Sequence, residues 1–394
     1  MESATTSVAP ELRKTALNAT HRKLGARMVN FGGWDMPVEY PATGGLMAEH
    51  KAVRGSVGVF DVSHMGDIRI HTGKIVGGAL AAVQHLSMND ASKLQLGQAQ
   101  YSAMLYPQGT FVDDVIVHRL GEDDFLFVIN AGTREKDISW VRENTQGMDC
   151  VVEELSDAYT QLAIQGPRAI DVLKKLTDAN LDGIKNYWFT HGTVCGLPCR
   201  LIARTGYTGE DGFEIYVPSD GETSENVWNA VMEAGKEFGI IPCGLGARNT
   251  LRLEAKMALY GHEISETINV LEAGLDRYCK MDKGAFIGRA ALAKASAAPA
   301  TRTLVGLEMV ERGIARDDYR VFDAAGEMVG LVTSGSPSPT LCRNIALAYV
   351  PPAFAALGTT LFVEVRTQRV KAQVVATPFY KRAKKTPPQA VASN

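Results

Sequence analysis

The chain has 394 residues, 45% of them hydrophobic, and a formal net charge of −3. It is long enough for two or three globular domains and has neither the basic excess of a nucleic-acid binder nor the charge runs of a membrane-surface protein. No apolar stretch approaches the ~20 residues of a membrane helix, the N-terminal segment lacks the basic start and apolar run of a signal peptide, and six scattered cysteines with no C-x-x-C pair frame neither disulfides nor a zinc ribbon, so a cytoplasmic protein without a metal site is expected.

Residues 1–11 are small and polar and read as a flexible lead-in to a body that begins at about residue 12. His64, in FDVSHMGDI, falls in an apolar strand pattern, where a histidine is more often a satisfied structural residue than a ligand. Residues 98–130 predict a three-stranded meander. GQAQYSAML runs to a Pro107-Gln108-Gly109 turn, FVDDVIVHRL follows, GEDD turns again and FLFVIN closes it. Asp113 and Asp114 lie inside the middle strand. Alternation sends them to opposite faces, one shared with Phe111, Val115 and Val117, the other with Val112 and Ile116. Both faces are largely apolar, so a carboxylate buried there needs a ligand, an arginine or a water-filled cavity to offset its desolvation. A sheet edge with both acids in water fits the same pattern, and the pattern does not say which acid faces inward.

The densest chemistry is RTGYTGEDGFEI at 204–215. Gly206, Gly209 and Gly212 permit positive φ or close backbone approach. Tyr207 offers a flat ring, and Glu210, Asp211 and Glu214 offer acceptors. Such a surface suits a flat, hydrogen-bond-rich heterocycle, although an ordinary glycine turn with solvated acids has the same make-up. GLGARNTLRLEAKM at 244–257 reads as a glycine loop that becomes a helix, with Leu251, Ala255, Ala258 and Leu259 on one face and Gly261 as its C-cap. Arg248 then falls near the helix start, where the helix dipole disfavours a cation unless it holds an anion. The G-x-G here lacks the third glycine of a dinucleotide fingerprint, and the chain has no G-x-x-x-x-G-K-[ST], no G-x-S-x-G and no H-E-x-x-H. Residues 293–303, AKASAAPATRT, read as a linker. Beyond it, apolar runs at 304–309, 319–322, 329–333, 345–350 and 361–365 predict a small all-β domain reaching residue 382. Residues 383–394 read as a second flexible terminus. Strand and helix patterns mix before the linker, so the fold class is α+β.

Taken in order, GARMVNFGGWDMPVEY (25–40), EHKAVRGSVGVFDVSHMG (49–66), VDDVIV (112–117), NAGTREKD (130–137), IQGP (164–167), RTGYTGEDGFEI, GLGARNTLRLEA, GIAR (313–316), VTSGSPSPTL (332–341) and PFYKR (378–382) give the chain a strong likeness to one family. It resembles the T-protein of the glycine cleavage system, a tetrahydrofolate-dependent aminomethyltransferase, over residues 12–382. The resemblance implies a three-domain disc. Two intertwined α+β domains with ferredoxin-like arrangements occupy 12–292, a C-terminal small β-barrel occupies 304–382, and folate sits in a channel where the three meet. It implies that Asp114 is the catalytic acid and that Glu214 grips the pteridine edge, where one carboxylate accepts two hydrogen bonds. It further implies that Arg248 and Tyr380 contact the ligand, that Tyr101 and Tyr207 are its ring neighbours, and that Asn130 lines the same channel.

The activity implied is transfer of the methylene carbon of the aminomethyl-lipoyl group of H-protein to tetrahydrofolate. Ammonia, 5,10-methylenetetrahydrofolate and dihydrolipoyl H-protein are the products. Tetrahydrofolate is a co-substrate and no metal is needed. The implied partners are lipoylated H-protein and, by function, glycine decarboxylase and dihydrolipoyl dehydrogenase, with no nucleic acid and no membrane. Three positions depart from the family pattern: Asn249 stands where aspartate is expected, and Lys256 and Cys342 where glycine is expected. A tetrahydrofolate-dependent demethylase of a sulfonium or methylamine compound would keep the same fold and folate site. A folate-binding accessory protein of iron–sulfur assembly would carry K-G-C-Y-x-G-Q-E, whereas the corresponding segment here is KMDKGAFIGRAAL at 280–292.

Overall fold

The computed structural model describes residues 11–383, so the expectations about flexible termini lie outside the described residues except at Glu11 and Ala383. The meander forms as read. Strands Ala99–Leu105, Phe111–Gly121 and Asp124–Ile129 pair antiparallel, and Gly66–Thr72 and Cys150–Glu154 extend them to five strands. A six-stranded sheet runs in the order Phe189–Val194, Leu197–Ala203, Gly212–Pro218, Tyr159–Gln165, Gly58–Asp61 and Ile241–Pro242. Strands Gly58–Asp61 and Gly66–Thr72 are consecutive in the chain yet belong to different sheets, so a four-residue turn ties the two sheets together. His64 lies in that turn rather than in a strand. Its buried ring stands edge-on to Phe31 at 5.6 Å, and neither ring nitrogen has a hydrogen-bond partner among the described residues.

Each sheet buries one face under helices. Helices Gly78–Leu86 and Arg134–Asn144 set Ala82, Val83, Ile138 and Val141 against Ile68, Val115, Val117 and Phe127. Helices Ala169–Leu173 and Gly221–Gly235 do the same for the second sheet, with Trp228 fully buried among Ile215, Val217 and Leu162. The other two faces meet each other through Leu126, Val128, Leu201 and Tyr216. This is the α+β arrangement, and the cleft between the sheets comes directly from it.

The grouping of faces around Asp113 needs one correction. Asp113, Val115 and Val117 share the helix-covered side, but Val112 joins them there, and Phe111 packs in a separate cluster with Leu105 and Ile264. A bulge causes this. Met104 pairs with Asp113 and Leu105 with Phe111, so Val112 is the extra residue and the alternation slips by one.

The third sheet is a closed barrel of Thr303–Met309, Arg343–Val350, Met328–Ser338, Arg320–Phe322, Thr360–Val365 and Gln368–Val375. Five of these strands follow the apolar runs. The sixth, Gln368–Val375, was not expected. It buries Val370, Ala372 and Val374 in alternation with more exposed Arg369, Lys371 and Gln373. The turn before it places Arg366 at φ 59° and has no Gly, Asn or Asp to announce it. Residues 293–296 complete a helix, Arg289–Ser296, anchored by buried Leu292. Alanine is the strongest helix former, which accounts for it.

Helix Leu245–Glu254 is shorter than its apolar pattern suggested. Lys256 sits at φ 56°, its N–H bonds Leu253 O, and Met257 N–H bonds Arg252 O at 2.9 Å. That pair of bonds around a left-handed residue is a Schellman stop. Ala258 and Leu259 lie beyond the helix, and Gly261 does not cap it: its N–H reaches Ile264 O. Cys342 adopts φ 54°, so both residues that replace expected glycines hold the conformation glycine takes freely. Left-handed backbone costs an L-residue about 1–2 kcal/mol, and glycine's chain entropy returns part of that. Cys342→Gly is therefore expected to raise stability by about 0.5–1 kcal/mol, read as a higher denaturation midpoint with an unchanged slope; no gain would show that the turn is unstrained. Among the described residues no helix is long and apolar enough to cross a membrane.

Candidate active site

Between the two facing sheets lies a cavity of about 260 Å³, near the lower end of small-molecule pockets. Six of the seven residues singled out from the sequence line it: Tyr101, Asp114, Asn130, Tyr207, Glu214 and Arg248. Their positions follow from local structure. Asp114, Ile116 and His118 alternate on the open side of their strand. Tyr101 comes from the neighbouring strand, paired with Ile116. Glu214 pairs with Ala163 on the opposing sheet. Arg248 projects from the first turn of Leu245–Glu254.

Asp114 is held by Asn130. The Asn130 amide nitrogen donates to Asp114 Oδ1 at 2.8 Å and to Asp113 Oδ1 at 2.9 Å, which uses both of its hydrogens. Asp113 is fully buried on the helix side. It also accepts from Asn130 N–H at 3.1 Å and from Thr133 Oγ1 at 2.8 Å. Behind it Asp137 is wholly buried; Lys136 Nζ stands 3.6 Å from its Oδ1, and neither carboxyl oxygen has a hydrogen-bond partner among the described residues. Burial and the neighbouring Asp113 push Asp137 well up. Burial and the Asp113 charge likewise raise Asp114, to about 7, against the hydrogen bonds of Asn130 and Tyr101 that favour its charged form. The Tyr101 hydroxyl lies beside Asp114 but its geometry falls short of a full hydrogen bond. Asp114 is thus poised to change charge near neutral pH.

The opposing wall has the complementary make-up. Glu214 accepts from Thr205 Oγ1 and is raised by burial against the pull of that bond and of Arg248. Arg248 lies over the Tyr207 ring at 4.9 Å. Burial pushes its pKa down while Tyr207, Glu214 and Asp114 oppose that. Tyr207 is fixed by donating to Ala258 O. Burial and the Arg248 charge push His64 down to about 3, so it stays neutral.

Tyr380 is the seventh residue, and the structure does not bring it into the lining. Its ring covers the Arg54 guanidinium at 4.0 Å and its N–H bonds Glu254 O at 2.8 Å. Arg54 donates to Glu254 Oε2 at 2.8 Å, to Glu210 Oε1 at 3.1 Å and to Thr208 O at 2.6 Å. Tyr380 therefore braces the 204–212 loop from outside. Gln161, Gln165, Tyr187, Lys256, Arg277 and Tyr278 also line the cavity and were not singled out from the sequence. Of these only Tyr187 and Lys256 bear a local mark, a left-handed φ of 60° and 56°.

Asp113→Asn tests the tuning of Asp114. Removing the like charge leaves burial as the raising cause. The inflection of the pH–rate profile near pH 7 is expected to move down by roughly one pH unit. An unmoved inflection would dissociate Asp113 from it.

Two sheets enclosing a cavity with an ionisable carboxylate on one wall and a glutamate and an arginine on the other, attached to a β-barrel, define a class of protein built to hold a small polar organic ligand. The model of the GCVT N-terminal domain matches residues 17–283, and that of the glycine cleavage T-protein C-terminal barrel domain matches 302–381. The chain is 65% identical over 379 residues to an aminomethyltransferase of Koribacter versatilis, covering 96% of this chain and 99% of that protein. It is 66% identical over 381 residues to an aminomethyltransferase of Acidobacterium capsulatum, with the same coverage. Among solved structures, the glycine cleavage system aminomethyltransferase T of Bartonella henselae is similar at a TM-score of 0.86 and 32% identity, covering 94% of this chain and 98% of that one. The chain belongs to the glycine cleavage T-protein family and is an aminomethyltransferase of the glycine cleavage system.

Proposed function

We propose that the cavity binds tetrahydrofolate as co-substrate, with the reduced pterin between the two sheets and its reactive amine beside Asp114. The observation that carries this is the pairing of a poised carboxylate, Asp114, with an under-used acceptor and cation on the facing wall. Glu214 has four lone-pair sites and a single side-chain donor, Thr205. Two adjacent N–H groups of an aminopyrimidinone fit the remainder. Arg248 has no carboxylate within ion-pair distance among the described residues, which leaves its guanidinium for a ring carbonyl. Tyr101 and Tyr207 supply aromatic walls, and Asn130 orients Asp114. We assign Tyr380 to bracing the loop that carries Tyr207, with Arg54 between them.

The second substrate is the aminomethyl group on the lipoyl arm of H-protein. Its methylene carbon passes to tetrahydrofolate, and ammonia, 5,10-methylenetetrahydrofolate and dihydrolipoyl H-protein leave. Folate supplies the one-carbon chemistry, so this chain's residues act by positioning and charge. Asp114 accepts a hydrogen bond from the folate amine and stabilises positive charge developing there during transfer. We place the reaction in the cytoplasm, whose reducing poise suits a dithiol product and six free cysteines.

The test is formation of methylenetetrahydrofolate by the purified chain. Product is expected with aminomethyl-lipoyl H-protein and tetrahydrofolate, and none with methylated sulfonium or methylamine compounds. Turnover only with the latter would establish the demethylase reading instead.

A further inference from the structure

At one end of the cavity the lining is wholly buried, by His118, Val128, Gln161 and Tyr216. A side-chain bond ties the two facing sheets together there. Gln161 belongs to strand Tyr159–Gln165 of one sheet and Asp67 to strand Gly66–Thr72 of the other. Gln161 Nε2 donates to Asp67 Oδ2 at 2.5 Å, and the two residues are 1% and 0% exposed. Gln161 lines the cavity and Asp67 stands behind it. The bond fixes the amide with its nitrogen turned to the carboxyl. A carboxyl keeps an acceptor oxygen whether or not it is protonated, so Asp67 can hold that end in either state. Among the described residues no donor reaches Gln161 Oε1, which leaves the amide oxygen to whatever fills the cavity.

Strand register sets this oxygen beside Glu214. Glu214 pairs with Ala163 and Tyr216 with Gln161, so Glu214 and Gln161 are diagonal neighbours on the cavity face. Such neighbours lie about 7–8 Å apart, within reach of long side chains. Electrostatics agrees: burial raises the Asp67 pKa well above the carboxylate range, Arg134 and the Gln161 bond oppose this, and the Glu214 charge adds to it. Two acceptors therefore stand side by side. A hydroxyl or a lone ring N–H can serve only one of them. A primary amino group on a flat ring has one hydrogen for each.

We propose that Gln161 is a specificity-determining residue whose amide oxygen takes the second hydrogen of the ligand's exocyclic amino group, with Asp67 as the positioning residue that holds the amide this way round. This rests on the folate reading above, in which Glu214 meets two adjacent N–H groups of the aminopyrimidinone. A carboxylate that accepts from a ring N–H and from the neighbouring amino group uses one amino hydrogen only. The other would be a buried donor without a partner, which costs about as much as a lost hydrogen bond. Gln161 removes that cost for an aminated ring. It imposes one on a ring with hydrogen or a carbonyl in the amino position, because the amide oxygen then meets no donor or faces a second acceptor.

Calorimetric titration of the full chain and of Gln161→Met with tetrahydrofolate and its 2-deamino analogue makes a closed cycle. The parent chain is expected to bind the 2-deamino ligand roughly 100-fold more weakly. Gln161→Met is expected to weaken tetrahydrofolate binding by roughly five-fold and 2-deamino binding by less than about two-fold. Asp67→Ala frees the amide to turn and is expected to narrow the ratio of the two affinities by roughly two-fold. Lost stability alone would weaken both ligands alike and leave that ratio unmoved. A measurement on the parent chain needs no variant: with a heavy-nitrogen label in the 2-amino group, bound tetrahydrofolate is expected to show two resolved amino proton signals that exchange slowly with water. Equal parent affinity for the two ligands, equal losses in Gln161→Met, or a single amino signal averaged by rotation overturns the Gln161 contact and leaves the folate site standing. Failure of the parent chain to bind tetrahydrofolate overturns the folate reading and this inference with it.

Discussion

Exchanging Asp114 for asparagine is expected to lower turnover by about 10²–10³-fold and to change tetrahydrofolate affinity by no more than about three-fold. The two side chains have nearly the same shape. Asparagine keeps an oxygen for the Asn130 amide, which now meets Asp114 Oδ1 at 2.8 Å, so the wall of the cavity stays in place. Its charge is what disappears. A preorganised charge in a water-poor site is worth about 3–4 kcal/mol when it acts only on the transition state, and each 1.36 kcal/mol is a factor of ten. Under the proposed assignment ground-state binding rests on Glu214, Arg248 and the aromatic walls, all untouched. Burial and Asp113 raise Asp114 to about 7, so a pH–rate inflection is expected there in the parent chain and none in this variant. Single-turnover kinetics alongside calorimetry would measure both quantities. Near-wild-type turnover, or a parallel loss of affinity, would remove Asp114 from the role proposed for it.

The opposed faces of Asp113 and Asp114 were legible because a strand has a period of two, but no local rule told which face would be covered. That is decided by helix Arg134–Asn144 packing on the Asp113 side and by a second sheet, drawn from segments on both sides of it in the chain, meeting the Asp114 side. The start of helix Leu245–Glu254 was legible in its glycine loop. Its end was not, because a lysine does what glycine usually does and the reading ran on to Gly261. The sixth barrel strand escaped for a similar reason: Arg366 turns the chain with none of the usual turn residues. Family resemblance placed six site residues in one cavity and put Tyr380 with them, but the Tyr380 ring rests on Arg54. Clusters such as Arg54, Glu210, Glu254 and Tyr380, or the bridge between Gln161 and Asp67, draw on distant segments and leave no periodic trace.

Arg252→Leu is expected to destabilise the fold by about 3–5 kcal/mol. Arg252 is 1% exposed and its partner Glu263 is 0% exposed. One guanidinium nitrogen donates to Glu263 Oε2 at 2.7 Å, a second to Ser334 Oγ at 2.8 Å on the barrel, and Nε to Asn249 Oδ1 at 2.9 Å. Asn249, which departs from the family pattern, thus serves Arg252 and not the neighbouring Arg248. Glu263 is further tied by Thr333 Oγ1 at 2.7 Å and Leu259 N–H at 3.1 Å. Leucine would leave this carboxylate in the interior without its counter-ion, and that desolvation, more than the lost attraction, sets the cost. The double variant Arg252→Leu with Glu263→Leu removes both charges and is expected to recover at least about half of the loss, a coupling that denaturant unfolding of the four proteins in the cycle would give directly. Additive losses in the double variant would mean that the pair carries no special energetic link. The effect reaches the active site through the helix, because Arg252 lies one turn after Arg248. Loosening the barrel at Ser334 frees the segment that aims Arg248 at the cavity, so the single variant is expected to bind tetrahydrofolate more weakly even at temperatures where it remains folded.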